Sequence, residues 1–273
     1  NSGDTPIPVK KDMDTKRPLF LSKDIREDDL SAYSILTKGS YDGLPSGNQF
    51  RRSGGVLRGR GISNSPVLTI YLAAVSPLFK EKGDLYSAKR LVLEVADTSK
   101  VNLIESASGD GTYQSRNLYN YELIVPVEQA GNLYRYMLED LNRYTDYYGR
   151  IEQRKVKCLI LVRTGSTDKI RSKGAKPENS LFFKSPARLN NYPISFLAGR
   201  LNDLKETGLP VIDETGYSGN ADLEFSGLKD LATLKKELRA YGLDLKEDYR
   251  TLNMFILADK SRDKSLITPK TSK

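Results

Sequence analysis

One grammar, used twice, constrains this chain more than any other feature of its sequence. Ile62-Ser63-Asn64-Ser65-Pro66-Val67 and Leu189-Asn190-Asn191-Tyr192-Pro193-Ile194 both set an asparagine two residues before a proline, where strand spacing gives way to helical spacing. After each come further strands, a second helix ending at glycine, and a last strand region. Glu139-Asp140-Leu141-Asn142-Arg143-Tyr144 parallels Glu237-Leu238-Arg239-Ala240-Tyr241, and Cys158-Leu159-Ile160-Leu161 parallels Met254-Phe255-Ile256-Leu257. A repeated order of elements is the mark of duplication. The expected fold class is α+β: two similar α/β-sandwich units, each strand-helix-strand-strand-helix-strand, with two helices lying on sheet. The first unit is expected over 29–166 with a loop insertion, and the second over 178–260. A flexible arm (1–28), a basic linker (165–178) and a disordered basic tail (261–273) complete the chain.

Within the first unit, a short strand is expected at Ala32–Thr37. Ser65 reads as a helix N-cap with Pro66 at the first helical position. Val67, Ile70, Tyr71 and Ala74 share a face, and Pro77 limits the helix near Phe79. A second helix is expected from Gln129 to Tyr148, with Leu133, Met137, Leu141, Tyr144 and Tyr148 as its apolar stripe and Gly149 closing it. Strands are expected at Leu91–Val95, Val101–Ile104, Tyr121–Val127 and Val156–Val162, with a polar loop over Ser106–Asn117. The second unit reads as a strand at Ser180–Lys184 and a helix over Tyr192–Thr207. A leucine-spaced helix from Leu228 to Tyr241, closed by Gly242, and strands at Asp244–Tyr249 and Leu252–Ala258 follow.

Between those two helices lies Pro210–Phe225, read as strand, turn, strand. Gly216 and Gly219 suit positive φ, and Ala221, Leu223 and Phe225 alternate with Asp222 and Glu224. Asp213 is expected to accept hydrogen bonds from turn amides, at Thr215 or Gly216. Asp213, Thr215, Gly216 and Gly219 thus form a structural turn motif.

Composition removes several chemistries. The 273 residues include one cysteine, Cys158, and no histidine, so neither a Cys/His zinc site nor a Ser-His-Asp triad can be built. Cys158 sits in an apolar run and reads as a buried, inert thiol. No metal and no cofactor is expected. No apolar run approaches the roughly 20 residues that span a bilayer. The chain begins at Asn1, which suggests a processed or shortened chain whose arm leads from an anchor or another domain.

A net charge of +8 favours polyanionic partners. Arg51, Arg52, Arg58 and Arg60, set among glycines, are the candidate anion-binding residues, although a twisted hairpin with arginines on its wet side explains them structurally. Paired carboxylates offer acid/base chemistry on a glycan: Asp213 with Glu214, or Asp222 with Glu224. Adjacent strand residues point to opposite faces, which separates Asp213 from Glu214.

The segment Pro-Val-Ile-Asp-Glu-Thr-Gly-Tyr-Ser-Gly (210–219) resembles the Pro-Val-Val-Asp-Lys-Thr-Gly-Leu-Thr-Gly-x-Tyr-Asp-Phe signature of a bacterial family called soil-associated, whose activity is not established. Tyr241-Gly242-Leu243-Asp244-Leu245 is similar to that family's Leu-Gly-Leu-x-Leu segment, while Ala221 stands where the family has tyrosine. The resemblance implies an extracytoplasmic domain with no assigned catalytic residue. The helix-and-hairpin grammar is also similar to short periplasmic modules of secretins and TonB-dependent receptors. The function expected is a non-catalytic extracytoplasmic interaction or binding module, with an envelope protein or a polyanion as partner. A carboxylate-dependent hydrolase is the alternative.

Overall fold

A computed structural model describes residues 14–102, 117–183 and 185–261 of the chain. The protein is α+β. In order it forms β1 (Tyr33–Lys38), β2 (Gly47–Ser53), β3 (Val56–Pro66), α1 (Val67–Glu81), β4 (Leu91–Glu94), β5 (Leu118–Ile124), α2 (Leu133–Tyr144) and β6 (Tyr147–Arg163). There follow β7 (Glu178–Asn179), β8 (Ala187–Pro193), α3 (Ser195–Asp203), β9 (Val211–Asp213), β10 (Asn220–Phe225), α4 (Leu231–Ala240) and β11 (Leu243–Asp259). The sheet orders are β1-β5-β3-β2, β10-β8-β7 and β4-β11-β6-β9. The chain divides into unit 1 (1–85, 93–150 and 256–273) and unit 2 (86–92 and 151–255), so the basic segment 165–178 lies inside unit 2.

In unit 1, β1, β5, β3 and β2 pair antiparallel. β2 and β3 form the expected hairpin, turning at Gly54 and Gly55, both at positive φ. Helix α1 buries Val67, Ile70, Tyr71, Ala74 and Phe79, close to the expected face. Its start differs from expectation. Ser65 lies in β3 and its hydroxyl donates to the Ser63 carbonyl, Pro66 is the N-cap, and the Leu68 N–H is satisfied by the Val101 carbonyl. Pro77 lies inside the helix, which runs on to Glu81. α2 buries Leu133, Met137 and Leu141, but Tyr144 is exposed. Tyr148 and Gly149 already belong to β6, and Thr145 closes the helix by bonding the Leu141 carbonyl. Val101 is buried in a turn where a strand was expected; the rest of that segment, 103–104, and most of the polar loop after it lie outside the described residues. The tail from 262 and the arm up to 13 lie outside them as well. The described part of the arm is tied down: the guanidinium of Arg51 donates to the carbonyls of Thr15, Lys16 and Arg17, and Leu19 is buried.

Unit 2 is organised around one apolar cluster that includes Leu189, Leu197, Leu201, Leu223, Phe225, Leu234 and Leu238. The strand-turn-strand reading of 210–225 holds locally and fails as a hairpin. β9 pairs parallel with β6, Leu159 opposite Val211, whereas β10 pairs antiparallel with β8. The turn between them therefore links two sheets. Tyr192 and Pro193 end β8, and α3 begins only at Ser195. Residues 181–183 form a turn where a strand was expected, and the last two expected strands are one continuous β11. Gly242 takes φ +69 after α4, the left-handed closure expected of it.

Sheets in the two units carry matching registers. In unit 1, Pro66, Ser65, Ile62, Gly61 and Arg60 face Leu118, Tyr119, Tyr121, Glu122 and Leu123, with a bulge between Ile62 and Ser65. In unit 2, Pro193, Tyr192, Leu189, Arg188 and Ala187 face Asn220, Ala221, Leu223, Glu224 and Phe225, with an irregularity at the same step. The bulge asparagines, Asn64 and Asn191, both take positive φ, +41 and +52. The N–H of Asn64 donates to Asn120 Oδ1 at 2.7 Å; that of Asn191 donates to Asp222 Oδ1 at 2.8 Å. A bulge leaves such an N–H without a ladder partner, and a side-chain oxygen on the facing strand supplies one.

Candidate functional site

The carboxylates singled out from sequence are each engaged inside unit 2. Asp213 Oδ1 accepts from the N–H and the hydroxyl of Thr215, at 2.9 and 2.7 Å, and the Thr215 hydroxyl in turn accepts from the Tyr217 N–H. Gly216 takes φ +62; Gly219 has no left-handed φ, and its lack of a side chain instead leaves room for the Tyr217 ring, which a Cβ would approach to 3.2 Å. Glu214 is bound by Nε and Nη2 of Arg250 at 2.5 and 2.8 Å, and these hydrogen bonds lower its pKa. Partial burial raises the pKa of Asp222, but the backbone N–H groups of Lys173 and Asn191 outweigh it and hold the carboxyl below the ordinary range. Glu224 pairs with Arg188 Nε at 2.7 Å. Among the described residues no cluster of three or more His, Cys, Asp or Glu could hold a metal ion. Cys158 is buried, and burial raises its pKa above the ordinary thiol value.

The four arginines of the hairpin region divide differently from expectation. Arg51 is consumed by Glu122, 2.5 Å away and fully buried, and by the three arm carbonyls. Arg58 donates to the carbonyls of Val125, Leu30 and Ser31. Arg52, exposed, bonds the Gly55 carbonyl of its own turn. Arg60 is buried. The wet face expected for the set is therefore occupied by Arg52 alone.

Exposed positive charge gathers elsewhere, on the basic segment of unit 2. Lys169, Arg171, Lys173 and Lys176 are exposed there. The segment is held to the edge of β10: Arg171 bridges to Ala221, the Ser172 N–H donates to the Asn220 carbonyl, and the Asp222 N–H donates to the Ile170 carbonyl. Beside it opens a recess of about 260 Å³. Its walls come from three separate stretches: Arg171, Ser172 and Gly174; the bulge residue Asn191; and Tyr217, Gly219 and Asn220. Asn220 Nδ2 donates to Asn191 Oδ1 at 2.8 Å, and Asn191 Nδ2 to the Ala175 carbonyl, so the floor is fixed by amides. The Tyr217 hydroxyl reaches Asp168 at 3.4 Å, and the Arg163 guanidinium lies 5.6 Å from the tyrosine ring. In unit 1 the corresponding Asn64 is covered by its own chain: its amide bonds Tyr41 N–H and the carbonyls of Tyr41 and Leu44, and Ser46 bonds its carbonyl.

The recess of this α+β protein is thus open and polar, lined by two asparagines, a tyrosine, a serine and one arginine. No known protein family, curated protein or solved structure matches the chain.

Sequence reading named Gly219 for the turn but not Asn191, Tyr217 or Asn220 for a recess. The available signal was Asn191-x-Pro193 at a strand end: a non-glycine residue at positive φ there requires side-chain bonds around it.

Proposed function

We propose that this chain is a non-catalytic binding module that takes an anionic ligand in the recess of unit 2. The observation that carries the reading is the convergence there of the turn motif, the bulge asparagine and the exposed basic segment. The carboxylates a hydrolase acting on glycans would draw on are each engaged in internal hydrogen bonds, which favours binding over turnover. The module is a duplicated α/β-sandwich unit in this reading, supported by the matched registers and the paired asparagine bulges. The resemblance to the soil-associated family adds an extracytoplasmic setting and an envelope component as bearer of the ligand.

Fluorescence anisotropy with a heparin oligosaccharide and an oligothymidylate as probes, at low and at physiological salt, tests the reading. The expected result is binding that weakens steeply with salt and is lost when Arg171→Ala and Lys173→Ala are combined. Equal binding by the variant, or no binding of either probe at low salt, contradicts it. Turnover of a chromogenic glycoside, abolished by Asp222→Asn, would establish the hydrolase instead.

A further inference from the structure

Arg60 is 7% exposed, yet its Nε and Nη1 have no hydrogen-bond partner, and Nη2 makes a single bond, to Asn48 Oδ1 at 3.1 Å. Buried polar groups are nearly always satisfied, and a buried cation with idle donors demands a reason. Packing does not supply one. At the matching register position of unit 2 stands Ala187, fully buried, facing Phe225 as Arg60 faces Leu123. That register position is therefore met in unit 2 with a small apolar side chain, whereas Arg60 also pairs across to Phe50 of β2. Its surroundings are those of an anion receptor. The guanidinium lies 3.9 Å from the centroid of the Phe50 ring, and Phe50 is 56% exposed, so one aromatic side chain that faces solvent lies over the guanidinium. Burial lowers the Arg60 pKa, with Tyr134 as the opposing influence.

We infer that Arg60 and Asn48 form a receptor for a single carboxylate, closed by the ring of Phe50. A planar carboxylate can bridge one idle donor, Nε–H or Nη1–H, and the second N–H of Nη2, on a guanidinium over which the exposed Phe50 is stacked. This site is in unit 1 and stands independently of the recess in unit 2. An acidic side chain of a partner and a small free acid share this chemistry.

The NMR resonance of the Arg60 Nε–H, assigned by its loss in Arg60→Lys, reports on the site directly. Sodium acetate is titrated into the intact chain against sodium chloride at matched ionic strength, then an N-acetylated, C-amidated Gly-Asp-Gly peptide, then inorganic phosphate. The expected result is a saturable shift of this resonance with acetate or the peptide, while the resonances of Arg51 and Arg58 stay in place. The tighter of the two identifies the source of the carboxylate. Phe50→Ala, which removes the closing ring, is expected to tighten acetate binding by about threefold or more, because the open form no longer has to be selected. No saturable shift with either carboxylate, a response to phosphate alone, or an unchanged affinity in Phe50→Ala overturns the inference.

Discussion

Two arginines of one hairpin show how little residue type says without its partners. Arg51 is locked to the fully buried Glu122, so Arg51→Met strands a carboxylate and frees the arm carbonyls. Breaking one side of such a pair costs about 3–5 kcal/mol, and urea unfolding of Arg51→Met is expected to show a loss of that order. Arg60 runs the other way. Its idle donors are buried, so Arg60→Met exchanges an unsatisfied cation for an apolar chain of similar length. The same measurement is expected to show a gain of about 1–3 kcal/mol, the penalty of an unsatisfied buried group. The sequence reading put all four arginines on the hairpin's wet side, although plain alternation sets the adjacent Arg51 and Arg52 on opposite faces. A bulge between Arg51 and Arg52 shifts that alternation, and a one-residue slip reverses which face a side chain takes.

Helices were the most legible elements, since a periodic apolar face survives in sequence, whereas the strands expected at Val101 and over 181–183 are turns. The faces of α1 and α2 and the hairpin of β2 and β3 were readable for that reason. Pairing was not. Val211–Asp213 and Asn220–Phe225 look like two arms of one hairpin, but their partners lie far away in sequence, at Leu159–Leu161 and Ala187–Pro193. The turn gives no sign that it joins two sheets. Pro66 and Pro193 were placed within their helices because proline is favoured at a first helical position; here one caps its helix and the other ends a strand. The bulge that precedes each proline depends on an acceptor from the facing strand. Asn120 is fully buried, accepts the Asn64 N–H and donates to Thr37 and the Gly39 carbonyl. Asn120→Ala leaves that N–H unsatisfied and is expected to cost about 1–3 kcal/mol in denaturant unfolding. Hydrogen exchange at Asn64 should accelerate in the same variant; an unchanged rate would show that the bulge does not rest on this acceptor.

For the molecule as a whole, stability in alkali should follow two opposing groups of side chains. Burial lowers the Lys89 pKa to about 8 despite Asp203 and Glu206, while its ammonium donates to the Leu201 carbonyl and to Thr207 Oγ1. The unfolded chain holds that proton to the ordinary lysine value, so between about 8 and 10.5 it binds more protons than the folded chain, and stability rises with pH. Burial pushes Tyr86 and Tyr147 up to about 12, so the stability they contribute is full below 10 and is lost as pH rises toward 12. Urea midpoints recorded from pH 7 to 11 are expected to climb and then fall, and Lys89→Met should remove the climb alone. At this scale the charge balance was legible in the sequence and its placement was not. The surplus of positive charge and the missing histidine pointed to binding, but where the charge is exposed depended on contacts that no spacing encodes. Among the described residues, no helix is long and apolar enough to cross a membrane.

On the proposed function, the recess of unit 2 is where this protein meets an anionic partner. Backbone hydrogen exchange with and without the heparin oligosaccharide locates that contact. Slowed exchange confined to residues 171–174, 190–192 and 216–220 is the predicted result. Slowing centred on the hairpin at 47–62, or nowhere, would contradict it.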